Sequence, residues 1–185
     1  MSEGVDFLIA QAGVIQLHAR YTDAIWRQDI EAFTDCFTED AEWRIGGRTM
    51  IGRDAIVGQM SAVFPKFRRI LMTMRAPYVE VTPEGASTRT YVTENNVFAD
   101  GTPVTAIGTY FDRVVDGGQG WRFRWRLFQT SYLGPADFTG TFFEGNPDFG
   151  AAPAMPPLDA ETIDHTGMHT GRDADAETRT AKGDS

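Results

Sequence analysis

The sequence predicts an α+β domain in which N-terminal helices pack on one face of a mainly antiparallel sheet. Apolar residues recur at helical spacing up to about residue 64, and β-rich runs follow from there to about residue 133. Short connections that contain glycine join these runs, which is typical of hairpins. Helices followed by strands indicate an α+β fold rather than alternating βαβ units.

The composition is that of a globular protein with one domain and a sizeable core. The chain has 185 residues, of which 42% are hydrophobic and 23% are charged. Its net charge of −9 argues against nucleic acid or an anionic membrane as a partner. We expect a cytoplasmic protein, because Cys36 has no second cysteine to pair with and neither a signal peptide nor a membrane-length apolar run is visible.

Three helices are expected before the sheet. The first carries an apolar stripe at helical spacing, made of Val14, Leu17, Tyr21 and Ala24. Asp29 is the expected N-cap of a second, short helix, and residues 41–45 are expected to form a short strand that ends at a Gly-Gly pair. A third helix is predicted over residues 53 to about 64, where Pro65 ends it.

Four strands are predicted after the helices, over about residues 69–82, 86–98, 103–115 and 121–133. In the last run, an apolar set alternates with three arginines; the apolar set is Trp121, Phe123, Trp125 and Leu127. The arginines Arg122, Arg124 and Arg126 would then lie on the outer face and pair with acids such as Asp112 and Glu94. Sheet curvature and a bulge could instead turn Arg126 inward.

The C-terminal part differs in composition, and we expect three segments. They are a folded domain over residues 1–135, a Phe- and Pro-rich extension over 136–158, and a polar acidic tail over 159–185. The phenylalanines of the extension, Phe138, Phe142, Phe143 and Phe149, should pack on the domain or on a second subunit. His165 and His169 are spaced i, i+4, but the tail lacks further ligands at a telling spacing, so no metal site is expected.

Several segments, in their order and spacing, resemble the SnoaL-like branch of the nuclear-transport-factor-2-like superfamily. They are ARY at 19–21, QDIEAF at 28–33, FTEDAEW at 37–43, GRDAI at 52–56, GTY at 108–110, and GWRF at 120–123 with Arg126. The resemblance covers about residues 5–133. It implies a cone-shaped roll in which three helices are wrapped by a highly curved sheet around an apolar pocket. It also implies activity without a cofactor and a homodimer formed through the outer face of the sheet.

Enzymes of this superfamily that the chain resembles include scytalone dehydratase, hexachlorocyclohexane dehydrochlorinase, ketosteroid isomerase, polyketide cyclases and lignin-dimer formaldehyde-lyases. The dehydratase and the dehydrochlorinase share an Asp on the first helix and a His on the first long strand. Trp26 and Met72 stand at these positions, so the dyad is absent. The isomerase's oxyanion-hole tyrosine matches Tyr21, and pocket residues of the dehydrochlorinase match Trp43 and Arg126.

We expect a cofactor-independent lyase that eliminates water, halide or formaldehyde from a hydrophobic, aromatic or alicyclic small molecule, such as a lignin-derived dimer. Tyr21 and Arg126 would polarise the substrate, and His18 or Glu94 would accept the proton. A steroid-type isomerase or polyketide cyclase, and a non-catalytic binding or structural subunit, are the alternatives. The enzyme interpretation requires Tyr21, Arg126 and Glu94 to converge on one enclosed cavity, whereas side chains scattered over the surface would favour the binding or structural interpretation.

Aromatic and methionine side chains that line the expected pocket would suit a flat, apolar ligand. The expected substrate-binding residues are Trp26, Trp43, Met60, Phe64, Phe67, Met72, Asn96 and Tyr110. Each of them could equally be an ordinary core residue. The sequence contains no zinc motif, phosphate loop or dinucleotide fingerprint, so neither a metal nor a cofactor is expected.

Overall fold

The computed structural model describes residues 3–143. The helices in this range are α1 (Glu3–Arg27), α2 (Ile30–Thr34) and α3 (Arg53–Val63), and a 3₁₀ turn at Phe64–Lys66 follows α3. The strands are β1 (Phe37–Ile45), β2 (Arg48–Ile51), β3 (Phe67–Met74), β4 (Tyr78–Thr82), β5 (Gly85–Phe98), β6 (Pro103–Asp116), β7 (Trp121–Gly134) and β8 (Thr141–Phe142).

The strands form one mixed, curved sheet in the order β2-β1-β7-β6-β5-β3, with β4 also paired to β5 and β8 to β7. The pairing of β1 with β7 is parallel, and the other pairs are antiparallel. The helices line the inner face, where α1 contacts β3, β4 and β7. The predicted α+β cone is therefore confirmed. No helix within residues 3–143 has the length and apolar character that a bilayer crossing requires.

The sequence signals for helix starts and ends predicted the positions of the helices well. Asp29 caps α2 as predicted, because its Oδ1 accepts a hydrogen bond from the Ala32 N–H at 2.9 Å. The third helix ends one residue before Phe64, and Pro65 lies inside the 3₁₀ turn that follows. Buried residues of α1 and α3 share one core with the inner side of the sheet.

Several strands differ from the sequence prediction: β1 begins at Phe37 rather than at residue 41, and β8 was not expected. The run expected over residues 69–82 is divided into β3 and β4, and the residues between them end with Pro77. Proline has no N–H to donate to a ladder, which explains a break at this point. No strand was expected at β2, which pairs with β1 across a turn at Gly46 and Gly47. Both glycines have positive φ, as a tight two-residue hairpin requires.

A β-bulge in β7 decides which of its side chains face the core. Arg113 of β6 is paired with Trp125, but the next residue, Val114, is paired with Phe123. Arg124 is therefore the extra residue of the bulge, and it adds one position to the alternation of side chains along the strand.

The bulge brings an arginine into the interior. Phe123, Arg126 and Phe128 are buried on the inner face, whereas Trp125 and Leu127 lie on the outer face. The expectation of one continuous apolar stripe along this strand was wrong, because the bulge separates Phe123 from Trp125 and Leu127. The alternative, that a bulge turns Arg126 inward, is what the structure has.

The first part of the C-terminal extension packs on the sheet. The rings of Phe138 and Phe142 contact Tyr132, with centroid distances of 5.4 Å and 4.7 Å. Phe143 donates its N–H to the Ser131 carbonyl at 2.9 Å. Phe149, both tail histidines and the rest of the extension and tail lie outside the described residues, so the three-segment division remains a prediction.

The glycine at position 13 allows α1 to approach the start of β7. A Cβ at Gly13 would lie 2.1 Å from Cδ1 of the Trp121 indole, which no real contact tolerates. The Trp121 carbonyl also accepts a hydrogen bond from Arg20 Nη2 at 2.7 Å. Trp121 thus fixes the position of α1 over the sheet.

We expect Gly13→Ala to destabilise the fold, whereas Gly58→Ala, in α3 with no atom within 4 Å, should stabilise it. Both changes gain about 0.5–1 kcal/mol of helix propensity, but only the first displaces an indole, which costs about 1–3 kcal/mol. Urea unfolding of both variants measures the difference. Equal unfolding free energies would contradict the packing of Trp121 on α1.

Candidate active site

One row of side chains crosses the inner face of the sheet. Thr88, Asp112, Arg126 and Trp43 are successive register partners on β5, β6, β7 and β1. All four are buried, two of them with full charges. Because register partners on one face are neighbours, the sheet itself positions this polar row.

Arg126 and Asp112 form a bidentate ion pair. Nε donates to Oδ1 at 2.7 Å and Nη2 donates to Oδ2 at 3.2 Å. Burial alone would raise the pKa of Asp112, but Arg126 and His18 together outweigh it and hold that pKa below its ordinary value. Burial works against the charge of Arg126 as well, yet Asp112 raises its pKa above the ordinary range. Both groups are therefore ionised in the interior.

Three aromatic rings enclose the guanidinium. Its central carbon lies 4.2 Å from the ring centroid of Tyr21 and 3.8 Å from those of Tyr110 and Phe123. The faces of aromatic rings attract a cation, and the attraction is greater away from water. The cage therefore offsets part of the cost of removing Arg126 from solvent.

His18 of α1 supports the carboxylate of Asp112. Its Nε2 lies 3.3 Å from Asp112 Oδ2, at an angle unfavourable for a hydrogen bond, and its Nδ1 lies 3.4 Å from the Thr90 hydroxyl. Burial lowers the pKa of His18, and Asp112 opposes this only in part. His18 is thus neutral near pH 7 with both nitrogens facing protein groups, which favours a positioning role over direct proton transfer to substrate.

Tyr21 and Tyr110 are hydrogen-bonded to each other beside the ion pair. Burial raises the pKa of Tyr21 to about 12, against the opposing effects of Arg126 and of the Tyr110 hydroxyl, which would donate to a Tyr21 oxyanion. Burial also raises the pKa of Tyr110 well above its ordinary value. Both phenols therefore stay protonated and can act as hydrogen-bond donors.

Glu94 is a carboxyl group on the inner face whose charge acts on both phenols, and within residues 3–143 it forms no ion pair at contact distance. It is half-buried, its Oε2 accepts a hydrogen bond from Asn96 Nδ2 at 3.1 Å, and its charge acts on both Tyr21 and Tyr110. Burial raises the pKa of Glu94, while Asn96 and Arg126 partly counteract it. Tyr21 and Glu94 thus lie close enough for their charges to interact, and Arg126 lies over the Tyr21 ring. None of the three lines either of the two concavities described below, so these do not provide the enclosed cavity on which the three residues were expected to converge.

The other expected lining residues divide into two groups. Most are buried around the polar row; these are Trp43, Met60, Phe64, Met72, Asn96 and Tyr110. Phe67 is partly buried and stacks on Phe98 with a centroid distance of 4.6 Å. Trp26 is 52% exposed, and its Nε1 donates to the Met72 carbonyl at 2.6 Å. The two positions that hold the dyad in the dehydratase are therefore still in contact.

A groove of about 810 Å³ lies between one flank of α1 and the edge strand β3 with its connection to β4. His18, Trp26 and Met72 are among its lining residues. A second concavity, of about 570 Å³, is lined by Glu84, Arg124 and other residues away from the buried polar row. Of the two, only the groove shares residues with the buried network.

Asp112 and Thr90 are the site residues that sequence reasoning missed. Asp112 was expected to be an outer-face partner of the arginines, but the same bulge that turns Arg126 inward places their pair inside. Alternation along β6 places Asp112 on the same face as Tyr110 and Val114, and this could have indicated that Asp112 faces the core. In the structure all three are buried. Within residues 3–143, no cluster of three His, Cys, Asp or Glu side chains could hold a metal ion.

The comparisons with known proteins agree with this architecture. The family model for the SnoaL-like domain matches residues 6–126. No curated protein matches the sequence. A solved structure from Novosphingobium aromaticivorans, provisionally named an aromatic ring hydroxylase, is 27% identical with a TM-score of 0.65, and the match covers 70% of this chain and 96% of that chain.

Two further solved structures carry names of elimination enzymes. A protein from Novosphingobium aromaticivorans, provisionally named a scytalone dehydratase, is 20% identical with a TM-score of 0.68, covering 80% of this chain and 99% of that chain. A hexachlorocyclohexane dehydrochlorinase, LinA type 2, is 16% identical with a TM-score of 0.66, covering 83% and 100%. At these identities the likeness concerns the fold.

Asp112→Asn should destabilise the protein by about 3–5 kcal/mol, because it leaves the buried Arg126 charge without a counterion. The matched control is Asp35→Asn, which removes a carboxylate that pairs with Arg20 and Arg122 at the surface. That change should cost less than about 1 kcal/mol. Chemical denaturation measures both, and similar losses would contradict the central role of the buried pair.

Proposed function

The chain belongs to the SnoaL-like domain family, and from that membership we propose that it is a cofactor-independent lyase. Its reaction is an elimination of water, halide or formaldehyde from a hydrophobic, aromatic small molecule, such as a lignin-derived dimer. The observation that carries this proposal is that Glu94, on the inner face of β5, lies close enough to two phenols and a buried arginine for their charges to interact. The elimination enzymes named among the structural neighbours support the reaction class.

Glu94 is the general base in this proposal. For loss of water or halide, it takes a proton from the carbon next to the one that carries the leaving group, the C–H electron pair forms the new double bond, and the leaving group departs with its bonding pair. For loss of formaldehyde, it takes the O–H proton of a hydroxymethyl group, the O–H electron pair forms the C=O bond of formaldehyde, and the C–C bonding pair stays with the substrate, where a quinone-methide-like intermediate formed by the substrate's own phenol accepts it. A carboxyl whose pKa is raised by burial is a stronger base than an exposed one and can act near neutral pH. Asn96 holds one carboxyl oxygen and so orients the other towards the substrate.

Tyr21 and Tyr110 stabilise negative charge that develops on a substrate oxygen. Tyr21 donates to that oxygen, while Tyr110 hydrogen-bonds to Tyr21 and the Arg126 cation lies over both rings. Such preorganised donors in a water-poor interior are effective because they need no rearrangement as charge develops. Asp112 and His18 keep Arg126 in place and act as positioning residues.

The alternative within enzymes is a steroid-type isomerase or polyketide cyclase. A carboxylate base beside a pair of phenol donors is also the arrangement needed to form an enolate next to a carbonyl. With a substrate that lacks a leaving group, the same residues would return the proton to another carbon. A non-catalytic binding subunit is less well supported, because a half-buried carboxyl with a raised pKa beside two phenols is costly for a mere scaffold.

We also propose that the protein is a cytoplasmic homodimer that pairs through the outer face of the sheet. That face carries partly exposed aromatic side chains, including Tyr78 and Tyr91, with Arg89 close to both rings. Aromatic and arginine side chains are enriched at protein interfaces. The cytoplasmic assignment rests on Cys36 as the single cysteine of the chain.

Glu94→Gln should lower kcat by about 10²–10⁴-fold, because the amide cannot accept a proton. Since the base must be deprotonated, wild-type kcat/KM should fall as the pH drops through the pKa of Glu94, which lies above the ordinary 4.5. The substrate is sought by thermal-shift screening of aromatic diols, steroids and halocarbons, and a pH–rate profile then measures the effect. Glu80→Gln, at an exposed position on β4, is the control. Undiminished turnover by Glu94→Gln would refute the base assignment.

Tyr21→Phe should lower kcat by about 10²–10³-fold, or roughly 3–4 kcal/mol, while substrate affinity changes little because the ring remains. A purely structural hydroxyl would instead cost about 1 kcal/mol of stability and leave kcat unchanged. Steady-state kinetics and thermal unfolding of the same variant separate the two results. Tyr91→Phe, on the exposed outer face, provides the matched comparison.

A further inference from the structure

The groove between α1 and β3 has the dimensions and chemistry of a small-molecule site. Its volume of about 810 Å³ lies in the range of ligand pockets, roughly 300–1,000 Å³. Its apolar lining residues are Ile15, Ala19, Trp26, Met72, Met74, Ala76 and Pro77. Two guanidinium groups line the groove, and both have protein partners: Arg27 pairs with Asp23 at 2.8 Å and Asp29 at 2.7 Å, and Arg75 Nη1 donates to the Thr93 hydroxyl at 3.4 Å. The groove therefore favours an uncharged, flat and apolar ligand.

One layer of side chains separates the groove from the proposed active site. Met72 lines the groove and is also the register partner of Glu94 on β5. His18 lines the groove and contacts Asp112. Tyr21 is only 1% exposed, so a substrate that is to meet Glu94 and the phenols must move part of this layer.

Trp26 is the residue in this layer that can move at the lowest cost. About half of its side chain is already exposed, and its indole is tied to the sheet by the hydrogen bond to the Met72 carbonyl. Among the strands of residues 3–143, β3 is paired with β5 alone, and side-chain contacts such as this one lie along its other edge. The thioether of Met72 beneath it has three rotatable bonds and adapts readily to a new neighbour.

We infer that an uncharged, flat aromatic ligand binds in the α1–β3 groove and gains access to Glu94 when Trp26 releases the Met72 carbonyl. Trp26 is then a gate, at a position where the dehydratase-like relatives have a catalytic carboxylate. The destination of the ligand rests on the proposed function. Binding in the groove and the release of Trp26 can be tested without any turnover.

The first experiment blocks the groove with a thiol label. Ala19→Cys places a thiol in the groove, and Ala12→Cys places one on an exposed position of the same helix outside it. Cys36 should stay unlabelled, because it is fully buried and burial raises its pKa to about 11. Both variants are labelled with a bulky maleimide and titrated with 2-naphthol, whose own fluorescence reports binding.

The label at position 19 should weaken 2-naphthol binding at least about tenfold, whereas the label at position 12 should leave the affinity unchanged. Equal affinities for the two labelled proteins would overturn the groove as the binding site. Absence of 2-naphthol binding to the unlabelled protein, up to the solubility of the compound, would overturn the ligand class.

The second experiment tests the gate. Trp26→Phe keeps an aromatic ring but removes the hydrogen bond to the Met72 carbonyl, so stopped-flow association of 2-naphthol should become about two- to tenfold faster. Trp125→Phe, on the outer face, should leave the rate unchanged. An unchanged rate in Trp26→Phe would overturn the gate. These readouts do not depend on Glu94, so failure of the proposed reaction would appear separately, as undiminished turnover by Glu94→Gln.

Discussion

The interior of this protein is organised around a buried charge. An arginine without water is tolerable only when its positive charge is compensated, and here Asp112 supplies the counterion and three aromatic rings supply the cage. Nε and Nη2 donate to Asp112, whereas the buried Nη1 has no hydrogen-bond partner among the described residues. The neighbours of this pair are then constrained in turn. His18 must be neutral, the two phenols must stay protonated, and the sheet must keep Asp112 and Arg126 in register.

The buried polar groups inside the cone differ in how completely their charges are neutralised. Arg126 and Asp112 are fully buried and neutralise each other, and the two phenols lie next to them. Glu94 is half-buried, and Arg126 compensates its charge only in part. A carboxyl in that position experiences desolvation more strongly than attraction to Arg126, so its proton affinity rises. The Arg126–Asp112 pair thus influences the proton affinity of Glu94. In this arrangement the ion pair has the structural role, and Glu94 has the proposed catalytic role.

Much of this could be predicted from the sequence, and the misses have physical causes. The helix periodicity, the Asp29 cap and the glycine-bearing hairpins are local signals, so the α+β order was accessible. The position of the bulge at Arg124 was not, because one extra residue reverses the facing of the side chains that follow it, here as far as the next register shift at residues 130–132, without altering the composition. Glu94 and Tyr21 were identified by residue type and resemblance. Asp112 was not identified as a site residue, since its inward orientation depends on register. The place of Trp26 beside an edge strand is likewise a tertiary property.

The parallel pairing of β1 with β7 has a consequence for how the chain folds. It joins segments about 85 residues apart, as in the contact between Thr38 and Phe123, and Trp43 is the register partner of Arg126 across this seam. Closing so long a loop costs entropy before any contact repays it, whereas the β5–β6–β7 hairpins can form locally. The Arg126–Asp112 pair is therefore enclosed only when β1 pairs with β7. Until then, Arg126 and Asp112 can keep their hydration, and dehydration of the pair is coupled to the last long-range step of folding.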